Sequence, residues 1–267
     1  MTAATICETI VSINRNIETG RRVSNSRIIR QRIWGKLHEV AKPDTRFHLN
    51  FNEVIPDFEG SEQATGRIVE MPAYKACSYA FITPDNCLVD LRRRMIAAGI
   101  PFVMSTYGIY RGFLLFEPGM VPAGAELYAA WLDGMEHFAR PISLAEIASR
   151  GRFDLMVTGA SAVSLDGVRF GKGHGFFDLE WGMFTELGIV DEATPVVAIV
   201  HDVQVVEEKL HPSATDILVD HIATPSRMIT VERRAKRPRG VKWELLEPEQ
   251  IAATPPLQEL RRIKGIG

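Results

Sequence analysis

Net charge, cysteine and long apolar runs are all scarce in this chain of 267 residues, and each shortage argues against a class of protein. With 31 basic and 33 acidic residues the formal net charge is -2, so no global attraction draws the chain to nucleic acid or to an anionic membrane, and charge has to be read locally. Cys7, Cys77 and Cys87 are odd in number, widely spaced and free of CxxC pairing. That argues against a disulfide framework and a thiolate zinc site, and for a reducing, cytoplasmic setting. No stretch approaches the ~20 apolar residues of a membrane span, and the first residues lack a basic segment followed by a sustained apolar core. His201, His211 and His221 recur at tens, a spacing that matches no local metal motif. Internal repeats and low-complexity tracts are absent as well.

What the chain does have is a hydrophobic fraction of 46%, enough for a substantial core. Weak periodicity over 1–23 predicts a loosely attached arm, 24–245 a single α/β domain, and 246–267 a C-terminal tail. Ser26 is placed to cap a helix in which Ile29, Ile33, Trp34, Leu37 and Val40 recur at helical spacing, with Pro43 ending it. Strands are expected over 76–82, 101–104, 154–158, 195–200, 217–222 and 227–231. Helices are expected over 87–98, ended by Gly99, and over 126–138, 143–148 and 175–187, the last with Phe176, Met183, Phe184 and Leu187 inward. Short apolar runs alternating with helices make an α/β protein with a mainly parallel sheet flanked by helices. In such sheets ligands sit beyond the carboxyl ends of the strands. The glycine-rich segment, His201-Asp202 and Thr224 all follow strand ends and are expected to share one cleft.

The most telling segment is RFGKGHGFFD at 169–178. Gly171, Gly173 and Gly175, followed at once by a helical pattern, leave backbone N–H groups free to surround an anion, and Arg169 and Lys172 add the cations that a phosphate attracts. His174 inside the loop is a candidate to protonate a leaving oxygen or bind phosphate, with a solvent-facing loop histidine as the plain alternative. Tyr107 and Tyr110, near a strand end, are candidates for stacking on a flat ring, with a core role the alternative. Arg92-Arg-Arg94 reads as a solvated helix face. The basic run 233–239 lacks interleaved aromatics, which weakens an RNA-binding reading.

Arg169, Gly171, Gly173, Gly175, the aromatic pair and Asp178 follow the R-x-G-x-G-x-G-Y-Y-D signature of 5-formyltetrahydrofolate cyclo-ligases, also called methenyltetrahydrofolate synthetases, and the chain resembles that family. Gln204, Asp216, Asp220 and Thr224 fall on its downstream Q…D-x-x-x-D…T pattern. The nearer resemblance is to the methenyltetrahydrofolate synthetase domain-containing branch, whose loop continues as D-L-E, here Asp178-Leu179-Glu180, and whose next strand ends in H-D-x-Q, here His201-Asp202-Val203-Gln204. The resemblance implies a fold like that of ribose-phosphate isomerases and coenzyme A transferases. It also implies ATP and Mg2+ as cofactors and the nucleotide-dependent cyclisation of 5-formyltetrahydrofolate to 5,10-methenyltetrahydrofolate in one-carbon metabolism.

On the same resemblance, Arg27 and Arg30, three apart on the N-terminal helix, face ATP, and the loop with Arg169 and Lys172 holds phosphates. Asp178 places magnesium or anchors the loop, and Phe176 and Phe177 wall the pterin. The chain departs from the family's pattern at Phe176-Phe177 in place of Tyr-Tyr, at Leu179 in place of a basic residue, and after Gly99, where a Pro-Arg pair is replaced by a segment whose nearest cation is Arg111. Two other functions stay open. One is a divergent enzyme on the same scaffold acting on another small amide, formyl or phosphorylated substrate; the other is a noncatalytic binding or regulatory protein. A folate-like small molecule is the expected partner, with no DNA, no membrane and little ground for RNA; the oligomeric state is left open.

Overall fold

A computed structural model describes residues 20–266. Cys7 and most of the expected arm lie outside the described residues. The fold centres on an eight-stranded sheet whose strands are β1 (Ala80–Ile82), β2 (Phe102–Ser105), β3 (Phe113–Phe116), β4 (Arg140–Ile142), β5 (Leu155–Gly159), β6 (Val196–Ile199), β7 (His221–Ala223) and β8 (Met228–Thr230). Their order across the sheet is β8-β7-β6-β5-β1-β2-β3-β4. From β7 to β2 neighbours run parallel, and antiparallel pairings close both edges. The expected α/β class with a mainly parallel sheet is what the chain adopts.

The helices that frame the sheet are α1 (Gly20–Leu37), α2 (Ser61–Val69), α3 (Val89–Ala98), α4 (Leu144–Arg150), α5 (Phe176–Glu186) and α6 (Pro255–Lys264). Alternation along the strands divides the core into two layers. Phe81, Val103, Met156 and Ala198 pack with Trp181 and Phe184 of α5 and Leu257 and Leu260 of α6. Ala80, Ile82, Met104 and Val157 pack with Ile68 of α2 and Leu91 and Met95 of α3. Both faces are covered, which is why β1, β2, β5 and β6 are buried throughout and read as continuous apolar runs.

The local signals hold where the chemistry is local. Gly99 ends α3 in the left-handed conformation, and Ser143 caps α4 with a full capping box to Glu146. The strand-helix-strand unit of β1, α3 and β2 is the expected parallel crossover. Elsewhere the expectation needs correcting. Because α1 begins at Gly20 and ends at Leu37, Ser26 is a buried side chain within the helix and not its cap, and Pro43 lies well past its end. The single helix expected over 126–138 is two short ones, Glu126–Ala130 and Met135–Phe138. Between them Gly134 packs so closely on the Tyr128 carbonyl that a side chain there would collide with it. On α5, Phe177 and Trp181 are buried while Phe176 and Leu187 are only half covered.

Arg92 is the sharpest correction. It is 0% exposed, its guanidinium donating to the carbonyls of Ala130, Thr83 and Asp85. Only Arg93 and Arg94 form the solvated face, both paired with Asp90. The run 233–239 is likewise built into the structure. Arg237 donates to the carbonyls of Leu218 and Thr194 and pairs with Asp220, and Arg233 pairs with Glu192 and Asp220. Among the described residues no helix is long and apolar enough to cross a membrane.

Candidate functional site

From β1 the chain moves to β2 on one side, and from β5 it moves to β6 on the other, so the boundary between β1 and β5 is a topological switch point where the strand ends splay a crevice. A cleft of about 690 Å³ opens there. The carboxyl ends of three strands supply Thr83 and Asp85 after β1, Ser105 to Ile109 after β2, and Thr158 of β5. The other wall is the glycine loop with the start of α5, residues 169–178 and Glu180, and beyond them Asp216.

The loop is held by a small three-stranded sheet. Ala162–Ser164 pairs antiparallel with Arg169–Phe170 and parallel with Val205–Val206. Ile29 and Ile33 of α1 pack on this sheet through Ala162, Val168 and Val206. Helical spacing then carries Arg30 over the ring of Phe170, 5.8 Å from its centroid, and into the cleft. Arg27 is exposed and does not line the cleft.

Gly173 and Gly175 have φ of 109° and 69°, the left-handed region that side chains avoid. Gly175 is the residue from which α5 starts. A Cβ at Gly171 would sit 3.3 Å from the guanidinium of Arg169, and one at Gly173 3.8 Å from that of Arg30. Glycine thus keeps the cations and the backbone N–H groups open to the same space. Arg169 itself is buried, donating to the Gly159 carbonyl at 3.3 Å and lying 4.7 Å from the ring centroid of Phe177. Phe177 lines the cleft but spends its face on Arg169. The ammonium of Lys172 donates to the Glu53 carbonyl at 2.8 Å and stands 5.0 Å over Tyr107.

Aromatic rings continue this wall. Tyr107 stacks on Phe47 and donates to the Glu53 carboxylate at 2.8 Å. His174 and Tyr110 both pack on Phe176. Tyr110 does not line the cleft and supports Phe176 from behind. His174 is buried, not the solvent-facing loop residue of the plain reading. Arg111 pairs with Glu136 at the surface and supplies no cation to the cleft. The turn after β2 carries Ile109 at φ 60°, a conformation that costs a branched residue about 1–3 kcal/mol. Burial of its side chain holds it there, and the turn fixes Tyr107 at the cleft.

Two acids stand out. Asp178 accepts the Ile217 N–H at 3.1 Å and faces Arg169 at 3.7 Å. Burial pushes its carboxyl up to about 7, against the pull of Arg169, with Asp216 adding to the rise. Glu180 is 2% exposed, and burial raises it to about 8, with Ser105 lowering and Asp85 raising it further. In the sequence Glu180 stands out only as part of the D-L-E motif. Its signal was there: a charged residue three after Phe177 and four before Phe184 falls on the inward stripe of α5. His201, Asp202 and Thr224 do not join the cleft. His201 starts a short 3-10 turn, and Asp202 accepts from the hydroxyls of Thr224 and Ser226. Gln204 spans the Ala160 carbonyl and the His201 N–H, a scaffold role.

Comparison with known proteins bears on this geometry. Residues 22–225 match the model of the 5-formyltetrahydrofolate cyclo-ligase family. A methenyltetrahydrofolate synthase domain-containing protein of Mus musculus is 33% identical over 255 residues, 92% of this chain and 65% of that protein. One from Homo sapiens is 34% identical over 239 residues, 87% of this chain and 60% of that protein. The chain therefore spans about 65% or less of these relatives' length. Among solved structures, the 5,10-methenyltetrahydrofolate synthetase of Aquifex aeolicus is similar at 17% identity over 79% of this chain and 95% of its own, with a TM-score of 0.48. That of Mycoplasma pneumoniae is similar at 11% identity, 78% and 99% coverage and a TM-score of 0.43.

Proposed function

The chain belongs to the 5-formyltetrahydrofolate cyclo-ligase family, and from that premise we propose that it cyclises 5-formyltetrahydrofolate to 5,10-methenyltetrahydrofolate with ATP and Mg2+. The observation that carries the reading is the convergence of the glycine loop, Arg30, Arg169 and Lys172 on one cleft that also contains Asp178.

The residues fit a nucleotide and its metal. A side chain at Gly171 would press on the Arg169 guanidinium and one at Gly173 would be strained by its positive φ beside that of Arg30, which fits a loop that offers those cations and its backbone N–H donors to one group. Asp178 and Asp216 both line the cleft. That matches magnesium, which one or two carboxylates hold together with phosphate oxygens and water. A cation beside Asp178 would favour its ionised form, which burial otherwise disfavours. Bound ATP supplies the phosphoryl group that makes the formyl oxygen a leaving group. The chain's own part is positioning and charge compensation. Arg30, Arg169 and Lys172 offset phosphate charge, Phe176 and Tyr107 offer ring faces to a pterin, and His174, beside Phe176, is placed to give or hold a proton.

The test is ATP- and magnesium-dependent conversion of 5-formyltetrahydrofolate, followed by absorbance of the methenyl product. Lys172→Ala is expected to lower turnover by about 10²-fold or more while its thermal unfolding stays close to that of the wild type. Wild-type protein that binds ATP without turnover points to another acceptor, and absence of both binding and turnover overturns the reading.

A further inference from the structure

Among the described residues four carboxylates line the cleft, and three have clear partners. Asp85 accepts from the Thr83 hydroxyl at 2.5 Å and the Gly159 N–H at 2.9 Å. Asp178 accepts from Ile217 and faces Arg169, and Asp216 accepts the Ser213 N–H at 2.7 Å. Glu180 differs. Its side chain is all but wholly buried, it lines the cleft, and its Oε2 has no hydrogen-bond partner among the described residues.

A buried acceptor without a donor loses its hydration and gains nothing in exchange. The position does not require a polar group. It lies on the stripe of α5 that also buries Phe177 and Phe184, where leucine would pack without that loss. The groups facing Glu180 are Ser105, Asp85, Arg169 and Asp178, and Arg169 directs its guanidinium to Gly159, Asp178 and Phe177. The missing donor therefore belongs to something that enters the cleft. A phosphate oxygen pairs with Glu180 only while its carboxyl is protonated, so the glycine loop and its cations do not account for a group that accepts in either form. A planar ring with an N–H or NH2 edge does, since Tyr107 and Phe176 offer flat faces in the same cleft.

We propose that Glu180 is a specificity-determining residue whose Oε2 accepts a hydrogen bond from an amino group on a nitrogen heterocycle, so that the site selects a 2-aminopyrimidine-type ring edge over the same ring without the amino group. This rests on the cyclo-ligase reading, because it takes this cleft as the substrate site and the pterin as such a ring. Discrimination comes from the penalty for leaving the carboxyl unpaired as much as from the bond gained.

The test uses the full chain and two small probes, 2-amino-4-hydroxypyrimidine and 4-hydroxypyrimidine, with dissociation constants from ligand-observed NMR. The wild type is expected to bind the amino compound about tenfold or more tightly than the other. Glu180→Leu is expected to bring the ratio to about one, and Glu180→Gln, which retains an acceptor oxygen, to keep part of it. Glu180→Met serves the same comparison if Glu180→Leu does not fold. A wild type without preference, or a preference unchanged in the apolar variant, means that water satisfies the oxygen and overturns the proposal. Binding of 5-formyltetrahydrofolate, measured alongside, reports separately on the cyclo-ligase reading. Its failure with the amino preference intact leaves Glu180 in its role and assigns the cleft to another aminated heterocycle.

Discussion

The guanidinium of Arg92 donates to the main-chain carbonyl of Asp85 at 3.0 Å from a position wholly inside the core. The same nitrogen reaches the Thr83 carbonyl at 2.8 Å, and Nε reaches that of Ala130 at 2.9 Å. One buried cation therefore shapes the turn that presents the Asp85 carboxylate to the cleft. Burial lowers its pKa to about 10, which still leaves it charged at neutral pH.

Replacing Arg92 by methionine should strand the buried carbonyls of Thr83 and Ala130, while that of Asp85 keeps the Leu88 N–H, and destabilise the protein by about 2–4 kcal/mol. Lysine should rescue little, because one ammonium on a flexible stem cannot reproduce the guanidinium fork. Urea unfolding of both variants measures this; a loss under about 0.5 kcal/mol for Arg92→Met would show that the turn does not depend on the cation.

Gly159 ends β5 and gives its N–H to Asp85. A Cβ there would lie 2.8 Å from Ile55 Cγ2, 3.0 Å from Cys87 Sγ and 3.1 Å from Asp85 Cβ. Gly159→Ala is expected to cost about 1–3 kcal/mol through overpacking and, on the cyclo-ligase reading, to weaken ATP binding, since Asp85, which lines the cleft, must move. Unchanged denaturation midpoint and unchanged ATP affinity would contradict this.

Stability should fall as pH rises from 7 to 8. Asp178 and Glu180 have folded-state pKa values of about 7 and about 8, against ordinary values of 3.8 and 4.5. Each binds more protons folded than unfolded, so its stabilising share is complete below its ordinary value and is lost as pH climbs through the raised one. The slope is at most about 1.4 kcal/mol per pH unit for each group. His201 and His221, lowered by burial from 6.5, act mainly below pH 7 and in the opposite sense. Urea midpoints across pH 7 to 8 should therefore decline in the wild type and less so in Glu180→Gln. Equal slopes in the two would exclude Glu180 as the source.

The glycine loop was legible because its conformational demand is local. Alternate glycines before a helical pattern need no distant partner to be recognised, and Gly173 and Gly175 take the positive φ that the pattern invites. Arg30 lines the cleft and Arg27 does not, because the direction of α1 depends on how Ile29 and Ile33 dock on a small sheet formed by segments over a hundred residues away. Arg92 was misread for a related reason. Three consecutive arginines on a helix look alike in sequence, and only the carbonyls brought to one of them by β1 and by the helix Glu126–Ala130 make burial of that one tolerable.

What the sequence determined by itself is the class of the fold and the backbone conformation of the glycine loop, since periodicity, capping and glycine's backbone freedom act within a few residues of their signal. What only the tertiary structure decided is which strand ends share the cleft. It brought β1, β2 and β5 together at the switch point and left His201, Asp202 and Thr224 outside. It also decided which charges are buried, because the desolvation of Arg92, Asp178 and Glu180 depends on side chains that become neighbours only when the sheet has formed.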